Sequence, residues 1–216
     1  MISFHKAEAA DRAWAQEILK ACTYPGAEYA FSCMYLWSDY FGELGRAGEF
    51  LTQHASWRGR EVYLYPAGRG DVREAIEAIR QDAAERGGPM RLRSLTNETK
   101  QELETLYPGR FDFKPCRNSF DYIYTVEELS ELHGKKLQSK RNHCNRFEDE
   151  FPDWFTAPIT DDTLPQCRQM LQSWYQMHEP AVNERELDQL QLEKAALERA
   201  FAHFDELEMD GLLLSD

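Results

Sequence analysis

The chain has 216 residues, 42% of them hydrophobic and 12% aromatic, and a formal net charge of −13 at pH 7. That length and apolar content support one large or two modest globular domains and exclude a disordered chain. No apolar run approaches the roughly 18 residues of a membrane span, and the opening "MISFHKAEAADRAW" lacks the charged and apolar regions of a signal peptide, which points to the cytosol.

In chain order, "MISFHK" is a short apolar opening and "AADRAWAQEILKAC" carries Trp14, Ile18 and Ala21 at helical spacing. In "AEYAFSCMYLWSDYFG", Phe31, Tyr35 and Leu36 recur on one helical face, with Gly42 as the stop. "EFLTQHASW" and "REVYLYPAG" are strand-like runs around Arg58-Gly59, which reads as a hairpin turn. "GDVREAIEAIRQDAAERGG" predicts a helix with Val72, Ile76 and Ile79 on one face, Asp71 as N-cap and Gly87-Gly88 at its end. "MRLRSLT" reads as a strand, "NETKQELETLY" as a helix capped by Asn97, and "FDFKPC" and "SFDYIYT" as strands. A helix holding a basic segment and broken by Pro152 follows, then an extended "DWFTAPIT". Two further helices, "DTLPQCRQMLQSWYQMH" and "RELDQLQLEKAALERAFAHFDEL", precede a terminal strand in "DGLLLSD".

The β-α-α-β-β-α-β-α-β-β order up to about residue 120 is that of a GNAT-type acyltransferase fold, a mixed sheet with helices on both faces. Residues from 120 onward begin a second pass of the same kind and stop after its fourth element. The expectation is therefore an α+β chain of tandem GNAT-like units, 1–119 and 120–216, with the second unit incomplete and the chain a fragment or completed from outside.

The segment "GKKLQSKRNHCNRF", residues 134–147, holds five Lys or Arg and no acid, which leaves −18 for the remainder of the chain. Wound as one helix at 100° per residue, it puts Leu137, Cys144, Phe147 and Phe151 within about 80° of arc, a core-facing stripe. Lys135, Ser139, Asn142 and Arg146 share another line, with Lys136 and His143 beside it. Lys135, Lys136, Lys140, Arg141 and Arg146 supply the charge, and Asn142, His143 and Asn145 add hydrogen-bonding capacity. Two readings stand: a binding surface for phosphate or another polyanion, and a solvated face paired with the acids of the protein.

Weaker signals are more simply structural. In "YPAGRGD", Gly68 and Gly70 fit the glycine loop that binds a cofactor pyrophosphate at a helix N-terminus in GNAT-type enzymes. Tyr65 and Pro66 replace the expected polar residues, however, and Asp71 brings a negative charge, so a tight turn with an N-cap is the simpler reading. The aromatic run Tyr29–Tyr40 reads as core. Cys22, Cys33, Cys116, Cys144 and Cys167 form no C-x-x-C pair, and the six histidines form no H-E-x-x-H. Reduced thiols, no metal site and no resident cofactor are expected.

The stretches "FSCMYLWSDYFG", "YLYPAGRGD", "DYIYTVEELSELHGKKLQSKRNHCNRFEDEFPDW" and "LEKAALERAFAHFDELEMDGLLLSD" resemble the bacterial domain family of the phosphatidylglycerol lysyltransferase C-terminal domain. The resemblance spans nearly the whole chain and is densest at G-K-K-x-x-x-K-R-N-H-x-N-R-F. Leu137 stands where relatives carry an aromatic, Gln138 and Ser139 where they are more basic, and relatives continue for roughly another eighty residues, the scale of a small domain. The resemblance implies two fused GNAT-type units and transfer of an acyl or aminoacyl group to an amine or hydroxyl acceptor. The donor would be a phosphorylated one, aminoacyl-tRNA or acyl-CoA, and an anionic lipid headgroup is one acceptor. The alternatives are a non-catalytic module that binds phosphate or tRNA, and a degenerate scaffold. No catalytic residue is assigned.

Overall fold

The computed structural model describes residues 2–24, 26–57 and 59–216. The chain falls into two compact units, Met1–Lys114 with Glu179–Leu207, and Pro115–His178 with Glu208–Asp216.

A mixed sheet forms the first unit. β1 (Phe4–His5), β2 (Glu43–Ala47), β3 (Phe50–Trp57) and β4 (Arg60–Leu64) lie side by side, β5 (Ala67–Gly68) pairs with the start of β3, and β6 (Leu92–Arg93) borders β4. Every pairing is antiparallel except β4 with β6, which runs parallel through Tyr63↔Leu92 and Leu64↔Arg93. A parallel pair needs a crossover connection, and α4 (Val72–Glu85) supplies it.

Alternation along the strands assigns the two faces. His54 stands opposite Tyr63 on one face, so Leu44, Gln53, Leu64 and Arg93 occupy the other. The first face packs against α4, where Tyr63, Tyr65, Val72, Ala75, Ile76 and Ile79 share a core with Leu103 of α5 (Asn97–Leu106). The second carries α1 (Arg12–Leu19), α2 (Phe31–Leu36) and α3 (Ser38–Phe41), with Met34, Leu44, Leu51 and Leu64 fully buried. The predicted α4 signals hold: the Asp71 side chain accepts from Arg73 N at 3.0 Å, and Gly87 takes φ +82° after the last turn.

Sequence and structure part in several places. The cap of α5 is Thr96, not Asn97: its hydroxyl accepts from Thr99 N at 3.3 Å, while Thr99 Oγ1 accepts from Thr96 N at 2.9 Å. β2 was not foreseen, because Gly45 and Arg46 interrupt an already short run. Gly45 is required there, since a Cβ would lie 2.6 Å from the Phe4 ring that crosses β2. "FDFKPC" and "SFDYIYT" are not strands. Phe111 and Phe113 pack against the first core, whereas Tyr122 and Ile123 are 85% and 82% exposed. Alternation supplies a face, but a strand also needs a hydrogen-bonding neighbour. Of the predicted hairpin turn, Arg58 lies outside the described residues; Gly59 takes φ +70°, and Trp57↔Arg60 closes the pairing of β3 with β4.

The second unit holds α6 (Val126–Glu131), α7 (Gln138–Glu150), β7 (Phe155–Pro158), α8 (Leu164–His178) and a later strand β8 (Leu212–Ser215). β7 and β8 form an antiparallel pair from Phe155↔Ser215 to Pro158↔Leu212. Cys167, Leu171 and Tyr175 give α8 a buried stripe. Between α8 and β8 runs α9 (Glu184–Ala202), opened by a capping box of Asn183 and Glu186. The sequence grouped this helix with residues 120–216; its contacts place 179–207 in the first unit. Arg199 accounts for much of that: it donates to Leu36 O at 2.8 Å and Ser38 Oγ at 3.3 Å and pairs with Asp39, while Ala196 and Ala200 are buried.

Candidate functional site

The basic segment is not one continuous helix. α6 ends at Leu132 in the left-handed region (φ 51°), Gly134 follows at φ +83°, Lys135–Leu137 makes one 3₁₀ turn, and α7 begins at Gln138. The break follows from Gly134, whose positive φ a helix interior does not accept. The core-facing stripe is correspondingly shorter than expected. Leu137 is buried and Phe147 and Phe151 half-buried, their rings 5.2 Å apart, but Cys144 is exposed. The 3₁₀ turn shifts Leu137 out of phase with α7; the exposure of Cys144, which lies within the helix, has no such local cause.

Lys135, Lys136, Lys140, Asn142, His143, Asn145 and Arg146 are exposed, and Arg141 is half-buried. Among the described residues none of the five cations forms an ion pair. Three have other engagements. Arg141 Nη1 donates to the carbonyls of Leu132 and of Gly134, the latter at 3.0 Å, and so pins the turn that precedes the helix. Lys140 Nζ lies 5.5 Å from the Tyr124 ring centroid, a cation–π distance. Arg146 Nη2 lies 3.3 Å from His143 Nδ1, within hydrogen-bond distance. Lys135 and Lys136 have no such partner among the described residues. The Glu128 carboxyl is held below the usual range chiefly by Thr125 N–H, with Lys136 adding attraction.

Charge along α7 runs against the helix dipole. Lys135, Lys136 and Lys140 crowd its N-terminal end, the positive pole of the helix dipole, and Glu148, Asp149 and Glu150 sit at the negative end. Each such placement costs about 0.3–1 kcal/mol. The same arrangement adds the pole of a 13-residue helix to three lysines, so an anion meets both at once.

The glycines of the first unit have backbone roles. A Cβ on Gly68 would lie 2.5 Å from both Glu49 O and the Phe50 ring, so β5 can approach β3 only with glycine there. Gly70 turns the chain at φ +103°. The N-terminus of α4 is taken by the Asp71 carboxylate, which Arg73 holds below the usual aspartate range. A further feature was not read from the sequence. The last parallel rung, Tyr65 N to Arg93 O at 3.1 Å, is followed by a fork, and the Tyr29 hydroxyl sits in it, sharing its proton between Tyr65 O (3.1 Å) and Ser94 O (3.2 Å). Only a register for β4 and β6 could signal it, since in the sequence Tyr29 reads as ordinary core. Among the described residues no group of three or more His, Cys, Asp or Glu could hold a metal ion, and no helix is long and apolar enough to cross a membrane.

These features define a mixed α+β protein whose most distinctive surface is the basic segment 135–146, with no ion pair to its cations among the described residues. The chain belongs to the family "Phosphatidylglycerol lysyltransferase, C-terminal", whose model matches residues 21–216. It is similar to a solved structure described as a conserved protein of unknown function from Bacteroides thetaiotaomicron VPI-5482. The two agree with a TM-score of 0.87 and 27% sequence identity, over 100% of this chain and 72% of that one. No curated protein matches.

Proposed function

We propose that the protein takes part in aminoacyl transfer, with the 135–146 segment gripping the phosphates of an aminoacyl-tRNA donor and an amine or hydroxyl, such as that of an anionic lipid headgroup, as acceptor. The observation that carries this is five cations between Lys135 and Arg146, two in the 3₁₀ turn before α7 and three on the helix, without an ion pair among the described residues. Membership in a family named for lysyl transfer supports the reaction class. In such a transfer the acceptor attacks the donor's ester carbonyl, the bond to the tRNA hydroxyl breaks, and the acceptor's proton ends on that hydroxyl. Lys135, Lys136, Lys140 and Arg146 hold phosphate in this reading, Asn142, His143 and Asn145 add hydrogen bonds, and Arg141 positions the turn. A tRNA donor puts the protein in the cytosol.

An acyl-CoA donor is less well supported in the first unit, which we read as a GNAT-type sheet. Gly68 is packed against Phe50, Asp71 occupies the helix pole and Tyr29 fills the fork, so Gly68 and Gly70 make a poor pyrophosphate loop. The same observations favour a second reading, in which that unit is a scaffold and the protein binds tRNA without catalysis.

Replacing Lys135, Lys140 and Arg146 together by Gln tests the proposal by filter binding of charged and uncharged tRNA at two salt concentrations. Affinity should fall, and the salt slope should flatten by about 2 for three lost contacts at about 0.7 each on single-stranded ends. Unchanged affinity and slope would return α7 to a solvated face. Equal binding of charged and uncharged tRNA would favour the binding module.

A further inference from the structure

Near the fork in the first unit lies a polar pair that the chain does not complete. Arg93, on β6, donates through Nη2 to Gln53 Oε1 on β3 at 3.1 Å, and the Phe41 ring lies 5.2 Å from its guanidinium carbon. Both side chains occupy the sheet face that carries α1–α3. Among the described residues no carboxylate forms an ion pair with Arg93; the charge of Glu28 reaches it only from beyond that range. Gln53 is 1% exposed, and its Nε2 is buried with no partner. The amide cannot be turned around to repair this. A guanidinium has only donors, so Oε1 must face it and the N–H groups must face elsewhere.

A half-buried charge with no ion pair among the described residues and an unmet buried donor are each costly, and two side by side invite a common acceptor. Burial pulls the Arg93 guanidinium below its ordinary proton affinity, the direction expected of a cation short of counter-charge. The pair also stands at the carboxyl ends of the two parallel strands β4 and β6. Arg93 is only half-buried, so its guanidinium is within reach of solvent. An ordered water could satisfy Gln53 but would leave the charge unmatched.

We propose that Arg93 and Gln53 form an oxyanion subsite of the first unit, taking a carboxylate or phosphate group of a small ligand against the free edge of the guanidinium and the N–H of Gln53. Arginine suits that group because its planar fork of donors matches two oxygens at once. The subsite is separate from the α7 segment and does not depend on the tRNA reading.

The test is thermal unfolding of the full chain at pH 7 in sodium chloride, sodium acetate and sodium phosphate of equal ionic strength. The unfolding midpoint should rise with acetate or phosphate above its chloride value, by a few degrees at about ten times the dissociation constant, and level off as the site fills. A response to phosphate alone identifies a phosphate site, and a response to both a general oxyanion site. Arg93→Gln should abolish the response. Gln53→Glu supplies the missing carboxylate from within, and should raise the midpoint in chloride while removing the response. No rise, or a rise without saturation that persists in Arg93→Gln, would overturn the subsite, the latter being general exclusion of the salt from the protein surface. Should Arg93→Gln fail to fold, the Arg93 Nε–H resonance of the unaltered protein decides. A saturable shift with acetate or phosphate supports the proposal, and an unmoved resonance refutes it.

Discussion

Asp82 is the most deeply buried acid among the described residues of the first unit. At 4% exposure it accepts from the Tyr63 hydroxyl at 2.7 Å and from Arg86 Nε at 2.7 Å, tying α4 to the sheet it crosses. Burial, reinforced by the neighbouring Asp82 carboxylate, pushes Tyr63 well above the ordinary phenol range, so the hydroxyl stays a donor. Asp82→Ala removes both bonds and leaves a buried phenol unpaired. A loss of about 2–3 kcal/mol is expected, since hydrogen bonds to charged groups contribute about 1.5–3. Urea unfolding measures it, and an unchanged midpoint would mean that the Tyr63 hydroxyl finds another acceptor. Nothing in "AIRQDAAERGG" announces this role. On the helix alone Asp82 looks like one more solvent acid, and only the register of β4 brings Tyr63 to it.

Among the elements, the turn between α6 and α7 is the most exposed to a single change. Leu132 is a non-glycine residue in the left-handed region, a conformation that costs energy and needs support. Arg141 provides it through the Leu132 and Gly134 carbonyls. Arg141→Met should therefore speed amide exchange across residues 132–138 by about tenfold, the ratio that 1.4 kcal/mol represents. Lys135→Gln should leave those rates alone. How far elements were legible depended on whether their cause was local. α4 was readable end to end, because Asp71, the Val72–Ile76–Ile79 stripe and Gly87 all act within the helix. The basic charge of 134–147 was equally plain, but its break at Gly134 was not, since a glycine there is as compatible with a helix start further back. The strands predicted at 111–125 failed because pairing is not a property of one segment.

For the molecule as a whole, acid is the informative variable. Asp39 lies below the ordinary aspartate value of 3.8, held there first by the hydrogen bond from Lys6 and then by Arg199. Glu61 lies below the ordinary glutamate value of 4.5, held chiefly by His54. A carboxyl with a depressed folded pKa contributes stability that is complete above its unfolded value and disappears as pH falls through the folded one. Stability should accordingly hold down to about pH 4.5 and then fall steadily below it, followed by circular dichroism under mild urea. Asp39→Asn should flatten the lower part of that descent. A curve identical to that of the unaltered protein would mean that the Lys6 and Arg199 pairs contribute nothing in solution, as is common for exposed pairs.

The return of α9 to the first unit has a consequence for how the protein is made. Asp39 and Arg199 are 160 residues apart, so at about 5–20 residues per second a ribosome releases the helix roughly 8–30 s after its docking site. During that interval α2 waits without the partner that buries Ala196 and Ala200 beside it, while the local hairpins β2–β3 and β3–β4 are already free to form. Completion of the first unit thus waits until synthesis has passed residue 202, even though its sheet is encoded early. A stop codon near residue 125 would leave a sheet with an uncovered helix layer and would not yield an independent domain.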